Sequence, residues 1–79
     1  MGKFWDLEQL IGTVPKNNKG DEIQVRKVTK GSREMVDVRT YYRDDAGDLQ
    51  PGKGISIPDD LADEVADLII QSGETGVRD

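Results

Sequence analysis

Eight positively charged side chains lie on segments with the residue pattern of β-strands or on the turns between them, seven of them within residues 1–43 of this 79-residue chain. They are Lys19, Arg26, Lys27, Lys30, Arg33, Arg39, Arg43 and Lys53, with Tyr41 and Tyr42 among them. Cations that follow phosphates, together with rings that stack on bases, are what single-stranded nucleic acid binding requires. The same residues would also suit a solvated sheet face or the protection of a strand edge, so the pattern alone leaves both interpretations open.

The charge is divided unevenly along the chain. The net charge is -5, which taken alone argues against a nucleic-acid partner. Residues 1–43 carry nine Lys/Arg and six Asp/Glu, whereas residues 44–79 carry two Lys/Arg and ten Asp/Glu. This asymmetry predicts two surfaces with different roles, one basic and one acidic.

Catalytic and metal-binding chemistry has little support. The sequence has no His and no Cys, which excludes disulfides, the usual zinc sites and the commonest bases and nucleophiles. The carboxylates of Asp44, Asp45 and Asp48 lack the spacing of a calcium loop, and Gly47 favours a solvated hairpin turn there. We therefore expect no enzyme activity, no cofactor and no metal.

The hydrophobic pattern predicts an α+β fold, with a small curved antiparallel sheet of about four strands followed by one amphipathic C-terminal helix. The strands are predicted at about residues 10–14, 23–29, 35–43 and 53–57, and the helix at 59–71, with Gly73 as its stop. In the third strand, alternation puts Val36, Val38, Thr40 and Tyr42 on one face and Met35, Asp37, Arg39 and Tyr41 on the other. Residues 1–73 are predicted to form one domain, and residues 74–79 a disordered tail.

The predicted helix indicates a homodimer. Its apolar stripe consists of Leu61, Val65, Leu68 and Ile69. So small a sheet leaves part of this stripe uncovered, and small domains without disulfides or metals often gain stability by oligomerisation.

The sequence has no signal peptide and no run long enough to span a membrane, so we expect no membrane partner and an intracellular location. That location would be the cytoplasm or nucleoid, the nucleus if the protein is eukaryotic, or the host cytoplasm if it is viral.

The order of several motifs resembles the transcriptional coactivator positive cofactor four family. These motifs are 23-IQVRKV-28, 36-VDVRTYY-42, 44-DDAGDLQPGKGIS-56 and the closing helix. The resemblance implies a homodimer built around the helices, whose sheets bind unpaired DNA largely without regard to sequence. It also implies that Arg39 contacts the DNA backbone and that Tyr42 lies in the binding surface. Arg26, Lys53 and Lys19 match further basic positions.

The chain also departs from the family pattern. The family usually has an aromatic ring at the position of Val28, and the turn at residues 29–33 is longer here, so Lys30 and Arg33 match only loosely.

The role of Trp5 stays open, because a lone Trp near a terminus packs on a core or dimer partner more often than it stacks on bases.

The leading hypothesis is a non-enzymatic single-stranded-DNA-binding protein acting in transcription, or in replication, recombination or repair. Lys27 is expected to neutralise phosphates together with the basic residues matched above. Transcription or replication proteins are candidate protein partners. The alternatives are a protein-interaction module that uses the acidic helix face, and an RNA-binding protein, since stacking and phosphate contacts serve RNA equally well.

Overall fold

The computed structural model describes residues 4–74. Four strands form one antiparallel sheet in the order β1-β2-β3-β4. They are β1 (Leu7–Pro15), β2 (Glu22–Lys30), β3 (Arg33–Arg43) and β4 (Leu49–Pro58). A 3-10 turn, Asp59–Leu61, then leads into the helix α1, Ala62–Glu74. The predicted α+β class, with four strands before one C-terminal helix, is confirmed.

The element boundaries differ from the predicted ones at several points. Strands β1 and β4 are each longer than expected, because ladder pairing with β2 and β3 extends them over residues without strong strand propensity. The helix begins with a 3-10 turn and continues through Gly73 to Glu74, so the predicted stop at Gly73 was wrong. Apart from Glu74, the predicted tail lies outside the described residues.

The hairpin between β3 and β4 is organised by Asp44. One carboxylate oxygen of Asp44 accepts hydrogen bonds from the backbone N–H groups of Ala46 and Asp48, both at 3.0 Å. The other accepts a 3.0 Å bond from the side-chain amide of Gln50. Gly47 takes a φ of +87°, a conformation that glycine adopts without a steric penalty. The acidic loop is therefore a turn held by its own first carboxylate.

The two sheet faces differ in character, because successive side chains of a strand point to opposite sides. One face presents the apolar side chains of Val25, Val36, Val38 and Ile57 towards α1, with a gap of about 350 Å³ between helix and sheet. The opposite face carries polar residues of β2 and β3, and we call it the polar face. It is formed by Gln24, Arg26, Asp37, Arg39 and Tyr41, with Ser56 from β4.

The single chain buries very little apolar surface. Its dimensions are 44 × 36 × 17 Å, and its radius of gyration is 14.3 Å. A compact domain of this length would have a radius of gyration of about 12 Å. Among the described residues, the buried apolar side chains are Val28 and Ile57. The chain is thus a flat plate, with most of the apolar side chains of its described residues still exposed. No helix in the described part of the chain is long and apolar enough to cross a membrane.

Candidate nucleic-acid interface

The pairing of β2 with β3 brings opposite charges and amides together on the polar face. Arg26 lies directly opposite Asp37, and Gln24 lies opposite Arg39. Directly opposed side chains on one face of an antiparallel pair are close enough to interact. The register therefore places polar residues that are far apart in sequence side by side on one face.

Arg39 is held in a fixed orientation by its neighbours. Its Nε donates to Oδ2 of Asp37 at 3.0 Å, and one terminal nitrogen donates to Oδ1 of Asp37 at 2.8 Å. The other terminal nitrogen donates to the carbonyl oxygen of Gly52 at 2.9 Å. A guanidinium has five N–H donors, so two remain for a ligand such as a phosphate oxygen. The side chain is 26% exposed, so these donors can be reached from solvent.

Asp37 forms the buried base of this arrangement, with its side chain only 2% exposed. Its carboxylate also accepts a 3.0 Å hydrogen bond from the Ser56 hydroxyl. The hydrogen bond to Asp37 raises the pKa of Arg39 above its ordinary value, so the guanidinium stays charged at every physiological pH. Burying a charged carboxylate is costly unless it is paired, and both carboxylate oxygens of Asp37 have hydrogen-bond partners.

Arg26 is the second cation of the polar face. Its guanidinium donates to Oε1 of Gln24, at 3.0 Å from Nε, and lies 3.7 Å from the Glu8 carboxylate of β1. It also sits 5.2 Å from the centre of the Tyr41 ring, within the range of a cation–π contact. Arg26 thus links strands β1, β2 and β3 on this face.

A β-bulge in β4 lies beside Arg39, and the backbone of β4 approaches that residue closely. The register with β3 shifts between Arg39 and Tyr41, and Gly54 lies opposite Arg39. A Cβ atom on Gly54 would lie 2.6 Å from the carbonyl oxygen of Val38 and 2.7 Å from Cβ of Arg39. Glycine is required here because any side chain would overlap the backbone that carries the arginine.

A cavity of about 550 Å³ lies on the polar face. It is lined by Phe4, Trp5, Glu8, Asp37, Arg39, Tyr41, Pro51 and Ser56. The Arg39 cation, the Ser56 hydroxyl and three aromatic rings thus line one concave surface, together with two carboxylates that are paired with arginines, Glu8 with Arg26 and Asp37 with Arg39. Such a surface suits a ligand that carries both negative charge and flat apolar groups, and we call it the polar groove.

The structure separates the predicted site residues by face. Arg26 and Arg39 lie on the polar face, as the predicted site requires. Lys27 does not share this face, because neighbouring residues of a strand point to opposite sides. Its Nζ is 2.6 Å from the Asp59 carboxylate at the start of the helical region and 3.7 Å from Glu34. The hydrogen bond to Asp59 raises the pKa of Lys27. The structure thus places Lys27 in a contact between sheet and helix.

The tyrosine that lines the groove is Tyr41. Tyr42 is the next residue of β3, is 45% exposed, and is not among the groove-lining residues. The family resemblance had selected Tyr42, whereas strand alternation already grouped Tyr41 with Arg39.

The remaining predicted cations lie around the sheet. Lys19 is exposed in the turn between β1 and β2, and Lys53 is exposed beside the bulge of β4. Lys30 and Arg33 pair with each other where β2 turns into β3. The Lys30 ammonium donates to the carbonyl oxygen of Phe4 at 2.7 Å, which ties it to the segment before β1.

The predicted helix stripe packs only in part against the sheet. Val65 and Ile69 line the gap between helix and sheet. Leu61, Leu68 and Ile69 remain 45%, 62% and 64% exposed. The helix therefore covers little of its own apolar surface by packing on its own sheet.

Four polar-face residues were absent from the predicted site: Gln24, Asp37, Tyr41 and Ser56. The signal for Asp37 and Tyr41 was present, since they alternate with Arg39 on one strand. The parts played by Gln24 and Ser56 depend on strand register, which short sequence patterns do not determine. Within residues 4–74, no group of acidic side chains is placed to hold a metal ion.

The fold and site define a class of small proteins in which an open four-stranded antiparallel sheet, with an arginine-bearing polar face, precedes one helix. The family model described as Transcriptional Coactivator p15 (PC4) matches residues 17–68, well over half of the chain. The chain therefore belongs to the PC4 family, which supports a DNA-binding, transcription-related role.

A solved structure agrees with this assignment. The crystal structure of a PC4 homolog from Burkholderia pseudomallei matches with a TM-score of 0.78 and 28% sequence identity. The match covers 94% of this chain and 100% of that chain. No curated protein matches the sequence significantly.

Proposed function

We propose that this protein is a non-enzymatic, homodimeric protein that binds single-stranded DNA along the polar groove. The observation that carries the proposal is the fixed Arg39 guanidinium, which has two N–H donors left over and lies beside an aromatic ring in one groove. A held arginine offers a phosphate a preorganised pair of donors. Arg26 adds a second positive charge on the same face.

The proposed ligand is unpaired because the groove places aromatic surface next to cations. The flat face of a base is accessible to Tyr41 only when that base has left a duplex stack. Stacking on a ring and contact with a phosphate read no base identity. The proposed binding is accordingly independent of sequence, and it suits unpaired DNA in transcription, replication, recombination or repair inside the cell.

The homodimer is supported by the apolar surface that one chain leaves uncovered. Leu68, Ile69 and Ile70 on α1 are 59–64% exposed, and Ile55 on the neighbouring sheet face is 59% exposed. Apolar surface of this extent on a small protein usually marks an interface. A second copy of the chain, packed helix against helix, would cover it while leaving the polar grooves open.

The test is fluorescence anisotropy with a labelled oligonucleotide of about 20 bases, compared as single strand, duplex and RNA over a salt series. The proposal expects the single DNA strand to bind more tightly than the duplex, with affinity falling steeply as salt rises. Tyr41→Leu should weaken this binding more than the matched change Tyr42→Leu. A preference for duplex would contradict the proposal, and a clear preference for RNA would support the RNA-binding alternative. An absence of binding at low salt would favour a protein partner for the acidic face.

A further inference from the structure

We propose that Trp5 is a second stacking platform of the polar groove, which binds one unpaired nucleobase in addition to any base that stacks on Tyr41. This inference rests on the proposed function, since it names a further part of the same binding site. It gives Trp5 a role in binding, whereas a lone Trp near a terminus more often packs on a core or dimer partner.

The segment before β1 is anchored to the turn between β2 and β3. The backbone N–H of Asp6 donates to the carbonyl of Thr29 at 2.8 Å, and the N–H of Gly31 donates to the Asp6 carboxylate at 2.7 Å. The Lys30 ammonium donates to the Phe4 carbonyl at 2.7 Å. Trp5 lies between these anchor points, so its backbone is fixed relative to the groove.

The neighbouring ring supports Trp5 from the side. Phe4 and Trp5 have ring centroids 4.6 Å apart and an interplanar angle of 84°, which is an edge-to-face contact. The Lys30 ammonium lies 5.1 Å from the centre of the Phe4 ring. Phe4 is thus held by a cation and in turn limits the orientations open to Trp5. A preorganised ring loses less conformational entropy when a base stacks on it.

The surroundings of Trp5 have the composition of a nucleotide site. The half-buried Trp5 side chain lines the same groove as Arg39, Ser56 and Tyr41. The groove's volume of about 550 Å³ lies within the range of about 300–1,000 Å³ found for small-molecule sites. Asp6 bonds Thr29, whereas Tyr41 pairs with Glu22, seven positions earlier on β2. Trp5 and Tyr41 therefore reach the groove from chain segments that are attached seven positions apart along β2, and each would take a different base of one strand.

Trp5 is the single tryptophan of the chain, so its fluorescence reports on this site directly. The proposal expects an unlabelled oligothymidine of about 10 nucleotides to quench that fluorescence as it binds. An abasic oligonucleotide of equal length carries the same phosphates without bases, so it should bind more weakly and quench much less.

The decisive comparison uses Trp5→Leu with fluorescently labelled forms of both oligonucleotides, so that anisotropy measures their binding. Loss of one stacked base should weaken oligothymidine binding about 5- to 150-fold, while abasic binding should change less than about twofold. Trp5→Phe, which keeps a ring, should retain most of the affinity. Equal weakening towards both oligonucleotides would show a merely structural role and overturn the proposal.

Failure of this inference can be told apart from failure of the proposed function. Wild-type binding without quenching, or Trp5→Leu binding with unchanged affinity, would overturn the role of Trp5 and leave single-strand binding intact. If the wild-type protein binds neither oligonucleotide at low salt, both proposals are wrong.

Discussion

Asp37 and Arg39, two residues apart on β3, form a bidentate ion pair in which the carboxylate is buried and the guanidinium reaches the surface. The two hydrogen bonds measure 3.0 and 2.8 Å, and the Asp37 side chain is 2% exposed. The buried partner orients the cation that would meet a phosphate. The pair therefore connects the stability of the sheet to its proposed binding activity.

Asp37→Asn should reduce both stability and single-strand binding. The amide would place N–H donors against a guanidinium that has no acceptor, and a lost charge-assisted hydrogen bond of this kind costs about 1.5–3 kcal/mol. Urea denaturation followed by circular dichroism measures the stability, and anisotropy measures the binding. Asp45→Asn removes an equal charge from the exposed loop and should change neither property by much. If the Asp37→Asn variant bound single-stranded DNA as tightly as the wild type, Arg39 would not need Asp37 to orient it for binding.

Arg39→Gln and Lys27→Gln remove one positive charge each, from opposite faces of the sheet. If Arg39 contacts a phosphate, its loss should weaken binding to every single-stranded sequence and reduce the magnitude of the log–log salt slope by about 0.7. Lys27 is paired with Asp59, so Lys27→Gln should leave the slope nearly unchanged. A salt series for the two variants makes the comparison, and equal changes in slope would contradict the assignment of the two faces.

Gly54→Ala should destabilise the sheet at the bulge. The added methyl would lie 2.6 Å from a backbone oxygen, so β3 and β4 would have to separate locally. Overpacking of this kind typically costs about 1–3 kcal/mol. The matched control is Gly12→Ala in β1, where no atom lies within 4 Å of the added methyl. That variant should change the free energy of unfolding by less than about 1 kcal/mol. Similar urea midpoints for the two variants would argue against the tight approach at Gly54.

Leu68→Asp should convert the proposed dimer to a monomer. The residue is 62% exposed on α1, and a carboxylate in a helix–helix interface would be desolvated without a partner. Light scattering after size exclusion should give twice the 8.8 kDa chain mass for the wild type and the single mass for this variant. Val14→Asp, at a 57% exposed position on the edge strand β1, is the control and should remain dimeric. A wild-type protein that is monomeric at micromolar concentration would exclude the dimer.

The hairpin around Asp44 should lose stability in acid. Hydrogen bonds from the Asp48 backbone and the Gln50 side chain hold the pKa of Asp44 below its ordinary value of 3.8. Because the pKa is lower when folded, the carboxylate's contribution is complete above pH 3.8 and is lost as the pH falls through the folded pKa. Urea midpoints between pH 7 and pH 2.5 should show that Asp44→Asn is less stable than wild type at neutral pH. The difference should shrink below about pH 4. A difference independent of pH would show that the charge of Asp44 is not involved.

Much of the architecture could be predicted from local pattern. The alternation in β3 was strong enough to separate Tyr41 from Tyr42 and to group Asp37 with Arg39. The apolar stripe of α1 was clear from its spacing. The ends of β1 and β4 were misjudged because ladder hydrogen bonds to a neighbouring strand, rather than local propensity, extend those strands. The position of Lys27 follows from the same alternation, which sets it on the opposite face from Arg26.

The sequence by itself determined the order of strands and helix, the acidic and basic halves, and the PC4-type motifs, because each depends on residues close together in the chain. The tertiary structure decided which residues lie opposite one another across strands, Arg26 with Asp37 and Gln24 with Arg39, and it brought the Ser56 hydroxyl to Asp37. It also brought Trp5 into the groove, through hydrogen bonds of the neighbouring Asp6 to residues 23 and 25 positions away. Strand register and the packing of a terminal segment both depend on hydrogen bonds between residues that are far apart in the chain, and no local periodicity encodes such bonds.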